Sequence, residues 1–512
     1  MITSFFSIKN KKFQSFLSFI KVDANYLVLL LIVLSLLLVF GGFASFKVIV
    51  LLFAIAAFFL NLKIRDCSIT SFLMAVFSSQ FFTPNKYYAV EIIRGWDMLL
   101  PQYKDGYWQG YGVNISNVFW VLSLLMVLRD IWKNNNWQIL TSFKKVSPVF
   151  LSLFIFFIIA LGSSLKFSPF LDFSLVWLSQ YMQILLASFI TLYIFFAKRK
   201  KFPLLFVVIA AVIVFQFCIS IWQFILQSGI GIPLESLHGG SFAMGLDENN
   251  AVHRVTGTLL FHNQLALVTL FLLSLYLPIV LIKQRKQDVL VMLMALIIIV
   301  LTQSRSIWIA SFLVFLLIFK KYAKEILLMI NKFSRKKFLL YLSLSLILLS
   351  YVIIPRVLLS FNAFYEGAGI PIRKRLLEEG IDVLVRNPSF GYGVGTNEYT
   401  LHSFFPNGVM TVFPTVVHMA SVQLAIEVGL LGLFFFLFPF FYIFRQHYTN
   451  QGSRKASKAS LRNLKKNQYF LSYVLGCIVF FIYYLFLPHV GIVEFQYLGI
   501  VLGLGLISIS GK

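Results

Sequence analysis

A few side chains in this sequence have the type and placement to do chemistry. Arg305 lies in Leu-Thr-Gln-Ser-Arg-Ser-Ile-Trp, in the middle of an apolar stretch from 288 to 319. A guanidinium stays charged and costs several kcal/mol inside a bilayer unless it is paired. It therefore marks either a function or a turn from which the side chain snorkels to the surface. Arg254 stands before Val-Thr-Gly-Thr and His262-Asn263, at the start of another apolar run. Alone it is an ordinary boundary arginine. On the same side as Arg305 it completes a pair suited to a diphosphate, through bidentate donors and a nearby helix N-terminus. His262 reads either as a buried polar contact or as part of that site. His418 opens a further apolar run; its imidazole titrates near neutrality and can take a proton from a hydroxyl. A lone histidine can equally be structural. Glu427 is nine residues further on, so helical geometry puts it on the opposite face from His418 and on the face of Gln423. That pair reads as glue between helices, or as a hold on a neighbouring polar group.

The elements that must position these residues centre on a long polar stretch from 355 to 417. It carries Arg356, Arg373, Lys374, Arg375 and Arg386 against Glu366, Glu378, Glu379, Asp382 and Glu398. Leu376, Leu377, Ile381, Leu384 and Val385 recur at helical spacing, and Asn387-Pro388 should end that helix. Such an amphipathic helix, basic at its start, is suited to lie on a membrane surface over a lipid-linked molecule. Glu378, Glu379 and Asp382 read as its solvated face, with one of them as an alternative base. Gly391-x-Gly393-x-Gly395 lacks the strand context of a dinucleotide fingerprint and is read as tight turning.

Composition sets the solvent. The 512 residues are 59% hydrophobic and 12% charged, about half the charge of a soluble protein. Mean hydropathy is +0.86. Runs of about 20 apolar residues recur throughout. The expected fold is all-α, a polytopic transmembrane bundle of about fourteen helices with a large, partly helical extracytoplasmic loop. The apolar segments fall near 25–40, 45–60, 67–82, 116–129, 148–163, 173–197, 203–227, 257–282, 288–302, 306–319, 339–354, 418–444, 468–487 and 494–510. Three regions are expected: N-terminal helices over 1–199, a catalytic region over 200–444, and a basic linker with two helices over 445–512.

The excess of 44 Lys+Arg over 19 Asp+Glu gives +25, which in a soluble chain would point to nucleic acid. Here every second connection is basic, as at Lys63 and Arg65, Arg129 to Lys145, 198–201, 283–286, 320–338 and 445–466. That is the positive-inside pattern; it places both termini in the cytoplasm and excludes nucleic acid as the partner. The lysines before the first apolar run, with no small-residue cleavage site after it, read as a cytoplasmic lead-in. The 83–115 connection is rich in Tyr and Trp and reads as an interfacial belt or a sugar-stacking platform. Residues 451–462 read as a flexible linker with lipid-headgroup affinity. Both ends of 288–319 are basic, so this stretch should fold back as a hairpin. Its arms of about 14–15 residues, roughly 21–23 Å, fall short of a ~30 Å hydrocarbon core. Arg305 would then sit at a tip below the outer headgroups.

Cys67, Cys218 and Cys477 are far apart and form neither a disulfide framework nor a zinc site. No H-E-x-x-H, D-x-D or Walker sequence occurs. This argues against a zinc protease, a transferase whose carboxylates hold a metal for a nucleotide-sugar, and an ATP-driven pump. The order of the remaining pieces resembles the O-antigen ligase and glycan repeat-unit polymerase family. Arg254-Val-Thr-Gly-Thr with Asn263 resembles that family's arginine-led helix start, and Thr302-Gln-Ser-Arg-Ser its hairpin. Arg373 with Asn387-Pro-Ser-Phe-Gly-Tyr-Gly-Val-Gly resembles its loop, and Val417-His418 through Glu427-Val-Gly-Leu-Leu-Gly432 its following helix. Met419 stands where family members commonly carry asparagine. The resemblance implies a metal-free, cofactor-free, inverting glycosyl transfer at the outer face of the cytoplasmic membrane. The donor would be a glycan on undecaprenyl diphosphate and the acceptor a glycan, lipid or protein. By the same resemblance Arg254 and Arg305 hold the diphosphate, His418 serves the acceptor hydroxyl, and Arg373, Arg375, His262 and Asn263 bind substrate. A lipid-linked glycan flippase is the alternative; it leaves the crowding of polar residues at one face unused.

Overall fold

The computed structural model describes residues 46–79, 115–134, 137, 142–227, 229–230, 254–259, 262–331, 343, 350, 354, 370–412, 417, 419–451, 461–486 and 492–510. Among these residues every regular element is a helix. In chain order they are α1 (Phe46–Ile64), α2 (Cys67–Ser78), α3 (Ile115–Lys133), a 3-10 turn (Ser142–Lys145), α4 (Ser147–Phe167), α5 (Leu171–Ala197), α6 (Leu204–Leu226) and α7 (His262–Lys283). There follow α8 (Lys286–Leu301), α9 (Arg305–Asn331), α10 (Ile370–Arg386), α11 (Asn397–Phe404), α12 (Val409–Val412), α13 (Ala420–Gln451), α14 (Leu461–Phe486) and α15 (Ile492–Ile509). Eight of the described helices are long and apolar enough to cross a membrane. The helices match twelve of the fourteen expected segments; 25–40 lies outside the described residues, as does nearly all of 339–354. The 83–114 connection, 231–253 and the linker residues 452–460 also lie outside them.

Burial separates the spans. α7 is buried along almost its whole length, so it is the central helix. α8 packs on α6 and α7, and α9 on α14 and α7. α3, α4 and the first part of α9 keep exposed rows of Val, Leu, Ile and Phe, the faces that lipid covers. One core runs through the bundle. A second, small one joins Leu376, Val383, Leu401, Met410, Val417 and Ile426 beneath α10.

The two ends of the bundle differ. At one end the α1–α2 turn, the end of α3 and the α5–α6 connection meet in an ion cluster. Lys198 Nζ lies 3.1 Å from Asp66 Oδ2 and 3.0 Å from Asp130 Oδ2, and Lys201 Nζ lies 3.3 Å from Asp66. Ser68 Oγ donates to both carboxylates. Three of the basic connections expected on one side (63–65, 129–145 and 198–201) thus meet at this end, where the Lys145 carbonyl accepts from Tyr442 Oη of α13. At the other end lie the starts of α3, α7, α13 and α15, and the end of α4. Gln264 Nε2 donates to Glu494 Oε2 (3.3 Å), and Gln496 Nε2 donates to Ser116, Asn117 and Gln183. Every candidate residue that the structure describes belongs to this second, polar end.

Candidate active site

The arginine side of the site is built on α6. Gln223 reaches from its last turns to hold the segment after Arg254. Its Oε1 accepts the N–H of Thr256 (3.1 Å) and Gly257 (2.9 Å), and its Nε2 donates to the Gly257 carbonyl (2.9 Å). Gln216, two turns deeper, accepts the N–H of Thr258 and donates to its hydroxyl. Gly257 adopts φ +60°, and a Cβ there would strike Gln216 Oε1 at 2.3 Å. These contacts satisfy the backbone of a buried non-helical segment, which would otherwise be costly.

Arg254 is held down by this segment and is only 4% exposed. Its Nη1 lies 2.8 Å from His262 Nε2. A guanidinium has donors only, so His262 Nε2 accepts and the ring carries its proton at Nδ1. His262 is the first residue of α7, so the helix starts later than the expected 257, and the histidine is a buried polar contact. Asn263 follows it, half-buried. Val255 N–H reaches the Leu301 carbonyl at 3.5 Å, which sets the Arg254 segment against the end of α8.

That end is the turn Thr302-Gln303-Ser304, from which α9 starts at Arg305. Gln303 takes φ +55°. The turn is fixed from within, because Thr302 Oγ1 (2.7 Å) and Trp308 Nε1 (3.0 Å) both donate to the Ile299 carbonyl. The expected fold-back exists, but the arms diverge from the turn. α9 also runs past the expected length, with a kink at Tyr322 (φ −128°, ψ 28°). Arg305 itself is exposed and makes no hydrogen bond or ion pair among the described residues. A cation at a helix N-terminus opposes the helix dipole, so this position favours an anion in front of it. Within the protein, then, Arg254 is enclosed and Arg305 is exposed.

The other wall is the stretch after α10. α10 ends at Arg386 before Asn387-Pro388, as the sequence predicts, and its Leu376 and Val383 pack into the small second core. Arg373, Lys374 and Arg375 are exposed on its first turns. Glu378 pairs with Lys374 at 3.7 Å on the surface, and Glu379 Oε1 accepts Val409 N–H at 3.1 Å. Glu378 and Asp382 are the solvated face expected. Glu379, half-buried, secures the start of α12 instead.

After Pro388 the loop crosses α13 at a break in that helix. Gly429 has φ +71° and ψ 173°, so α13 is two helices in line. Leu430 N–H, freed by the break, donates to the Pro388 carbonyl (2.7 Å). The Ile426 and Glu427 carbonyls accept Tyr392 N–H (2.9 Å) and Gly393 N–H (2.8 Å). Ser163 Oγ also donates to the Glu427 carbonyl. Gly391, Gly393 and Gly395 all have positive φ, in line with the tight turning read from the sequence. A Cβ on Gly391 would lie 2.5 Å from the Glu427 backbone, so the two chains also meet main chain to main chain.

This crossing encloses the Glu427 carboxyl and half-buries Glu398. Glu427, 1% exposed, accepts from Gln423 Nε2 (3.3 Å) and from Gly395 N–H, within electrostatic reach of Glu398. The Gln423–Glu427 pair expected on one face is present, but it also fixes the glycine loop. Burial pushes the Glu398 carboxyl up to about 7. Beside it, Asn397 Oδ1 accepts Val417 N–H at 3.4 Å, which places the residue before His418. His418 itself lies outside the described residues.

Residues 290–437 match the family model described as O-antigen ligase. Over that stretch the chain is similar to the O-antigen ligase family. At family level the match supports an O-antigen ligase-like membrane glycosyltransferase; that family acts on a lipid-linked glycan and an acceptor. No curated protein matches the chain. Arg305, Arg373, Arg375, His418 and Glu427 fall inside the O-antigen ligase match; Arg254, His262 and Asn263 precede it. The two halves of the polar end meet across α15. Glu494 takes Gln264 beside His262, and Phe495 packs on Tyr181 at 4.5 Å between ring centroids. Tyr181 in turn lies within electrostatic reach of Glu427. Sequence reasoning singled out neither Gln223, Gln216 nor Glu398. The two glutamines had one visible signal, a pair of amides seven residues apart in an otherwise apolar helix.

Proposed function

We propose that this protein transfers a glycan from undecaprenyl diphosphate to an acceptor hydroxyl at the outer face of the cytoplasmic membrane. The transfer inverts the anomeric carbon and proceeds, as the family resemblance implies, without a metal ion. The observation that supports this reading is the contact of Val255 N–H with the Leu301 carbonyl, which sets the Arg254 segment beside the turn before α9, where Arg305 is exposed. Two guanidiniums and a helix N-terminus there would offset the charge that gathers on a departing diphosphate, the electrostatic contribution that weighs most in such reactions. In the transfer, the acceptor oxygen attacks the anomeric carbon from the face opposite the diphosphate. The bond from that carbon to the diphosphate oxygen breaks, and the leaving group keeps the electron pair. His418 takes the acceptor proton. Arg373 and Arg375, exposed on α10, hold the donor from the loop side, and His262 orients Arg254. The basic end, opposite this site, faces the cytoplasm together with both termini.

Purified protein given an undecaprenyl-diphosphate-linked glycan and a hydroxyl acceptor should form a new glycosidic bond. Arg305→Ala and His418→Ala should each lower the rate by roughly 100-fold or more, the usual scale for losing such a group. A protein that moves the lipid-linked glycan across vesicles without making a bond is a flippase, and that result would refute the reading.

A further inference from the structure

Ser304 occupies the N-cap of α9. Its carbonyl accepts Trp308 N–H (3.0 Å), so the helix begins directly after it. A serine at this position normally turns its hydroxyl onto the N–H of the second or third helical residue. This one does not: Ser304 Oγ is buried, the residue is 3% exposed, and the hydroxyl has no hydrogen-bond partner among the described residues. No intrahelical carbonyl can reach the N–H groups of Arg305, Ser306 and Ile307. Three features thus meet at one point: a capping hydroxyl not used for capping, a set of N–H groups carrying the positive end of a long helix, and a guanidinium placed against the dipole. Each is unfavourable or idle alone. All three are accounted for by an anion seated at the turn.

We propose that Ser304 is a substrate-binding residue: its hydroxyl donates to a phosphate oxygen of the lipid-linked donor, and the first-turn N–H groups of α9 take the same phosphate. The assignment rests on the donor proposed above and adds to it. The turn, fixed by Thr302 and Trp308 onto Ile299, holds the hydroxyl in place without help from the ligand. The two arginines supply charge, and Ser304 with the helix start supplies directed donors at fixed spacing. A phosphate is thereby favoured over a carboxylate of equal charge, because a tetrahedral oxyanion can meet the hydroxyl and the axial N–H groups together.

The test uses full-length protein in nanodiscs of zwitterionic lipid, titrated with undecaprenyl diphosphate and, as control, with undecaprenol. Wild type should bind the diphosphate and not the alcohol. Ser304→Ala should weaken diphosphate binding by roughly tenfold, the scale of a hydrogen bond to a charged group, and Ser304→Thr should restore most of it. The melting temperature of ligand-free Ser304→Ala should equal that of wild type, because the hydroxyl caps nothing; only the rise on adding diphosphate should shrink. Unchanged diphosphate affinity in Ser304→Ala, with Arg305→Ala still defective, would overturn the assignment and leave the donor reading standing. So would a lowered melting temperature without ligand together with normal affinity, which is the mark of a capping role. Wild type that binds undecaprenol as well as the diphosphate would overturn the donor reading and this assignment together.

Discussion

Replacing Gly429 by alanine should damage this protein more than any other single methyl addition along α13. The residue sits at φ +71° and ψ 173°, a conformation open to glycine alone, and holding another residue there costs about 1–3 kcal/mol. A Cβ would also lie 2.2 Å from the Ser389 carbonyl oxygen and 2.4 Å from Phe390 N, so the loop must move away from the helix. That movement breaks the Leu430–Pro388 hydrogen bond, worth about 1 kcal/mol, and leaves its N–H unpaired where water is scarce, roughly 1–3 kcal/mol more. The total is on the order of 3–7 kcal/mol, at the exceptional end for a point substitution. Gly162→Ala is the control. It lies within α4, where a Cβ meets nothing within 4 Å, so it should be neutral or stabilising by up to about 1 kcal/mol through helix propensity. Unfolding in mixed micelles by SDS titration measures both, and limited trypsin digestion at Arg386, next to the loop, reports the movement directly. If Gly429→Ala unfolds with the control and Arg386 stays as resistant as in wild type, the interlock described here does not hold the loop.

The carboxyl and ion clusters make separate predictions. Glu398, raised to about 7, binds a proton in the folded protein that the unfolded chain releases near pH 4.3. Its contribution is therefore fully present below about pH 4.3 and is lost as pH rises to about 7, with a limiting slope near 1.4 kcal/mol per pH unit. Glu398→Gln should flatten that decline and be the more stable form at pH 8; a pH series of unfolding curves decides it. Asp66 behaves oppositely. Burial alone would raise its pKa, but hydrogen bonds from Ser68 and Lys198 and the charges of Lys198 and Lys201 outweigh burial and hold it low. Its contribution is present above about pH 4 and disappears as pH falls through the lowered value. Lys198→Met should destabilise by about 2–3 kcal/mol at neutral pH, since it leaves two half-buried carboxylates facing each other, and the deficit should shrink in acid. Gln223→Ala removes three hydrogen bonds from the Arg254 segment and should cost about 2–3 kcal/mol while weakening diphosphate binding, read as a higher KM for the donor.

The helices were legible because lipid imposes apolar runs of fixed length, and the basic turns because one end of the bundle collects them. The α10 boundary was legible for a local reason, since Asn387-Pro388 forbids continuation. What the sequence hid depends on partners far away in the chain. Glu427-Val-Gly-Leu-Leu-Gly reads as an unbroken apolar helix; only the carbonyl of Pro388, about forty residues earlier, makes the break at Gly429 tolerable. Glu398 reads as one more loop acid, and its burial follows from a crossing that no local pattern announces. The enclosure of Arg254 and the exposure of Arg305 within the protein were not legible, because spacing along the chain gives depth along a helix. It does not tell which side chain a neighbouring loop will cover. Arg254 is covered by a segment that Gln216 and Gln223 pin in place.

The crossing of the 388–395 loop over α13 is made almost wholly by carbonyls and amides. Ser389 and Phe390 are exposed, and the glycines that follow them contribute only backbone. Recognition between the two segments is therefore indifferent to what those outward side chains are. A scaffold of this kind lets the outer surface of the loop be rewritten, residue by residue, without disturbing the frame that carries it. Side-chain changes at Ser389 and Phe390 should therefore leave the hydrogen bonds of the crossing intact.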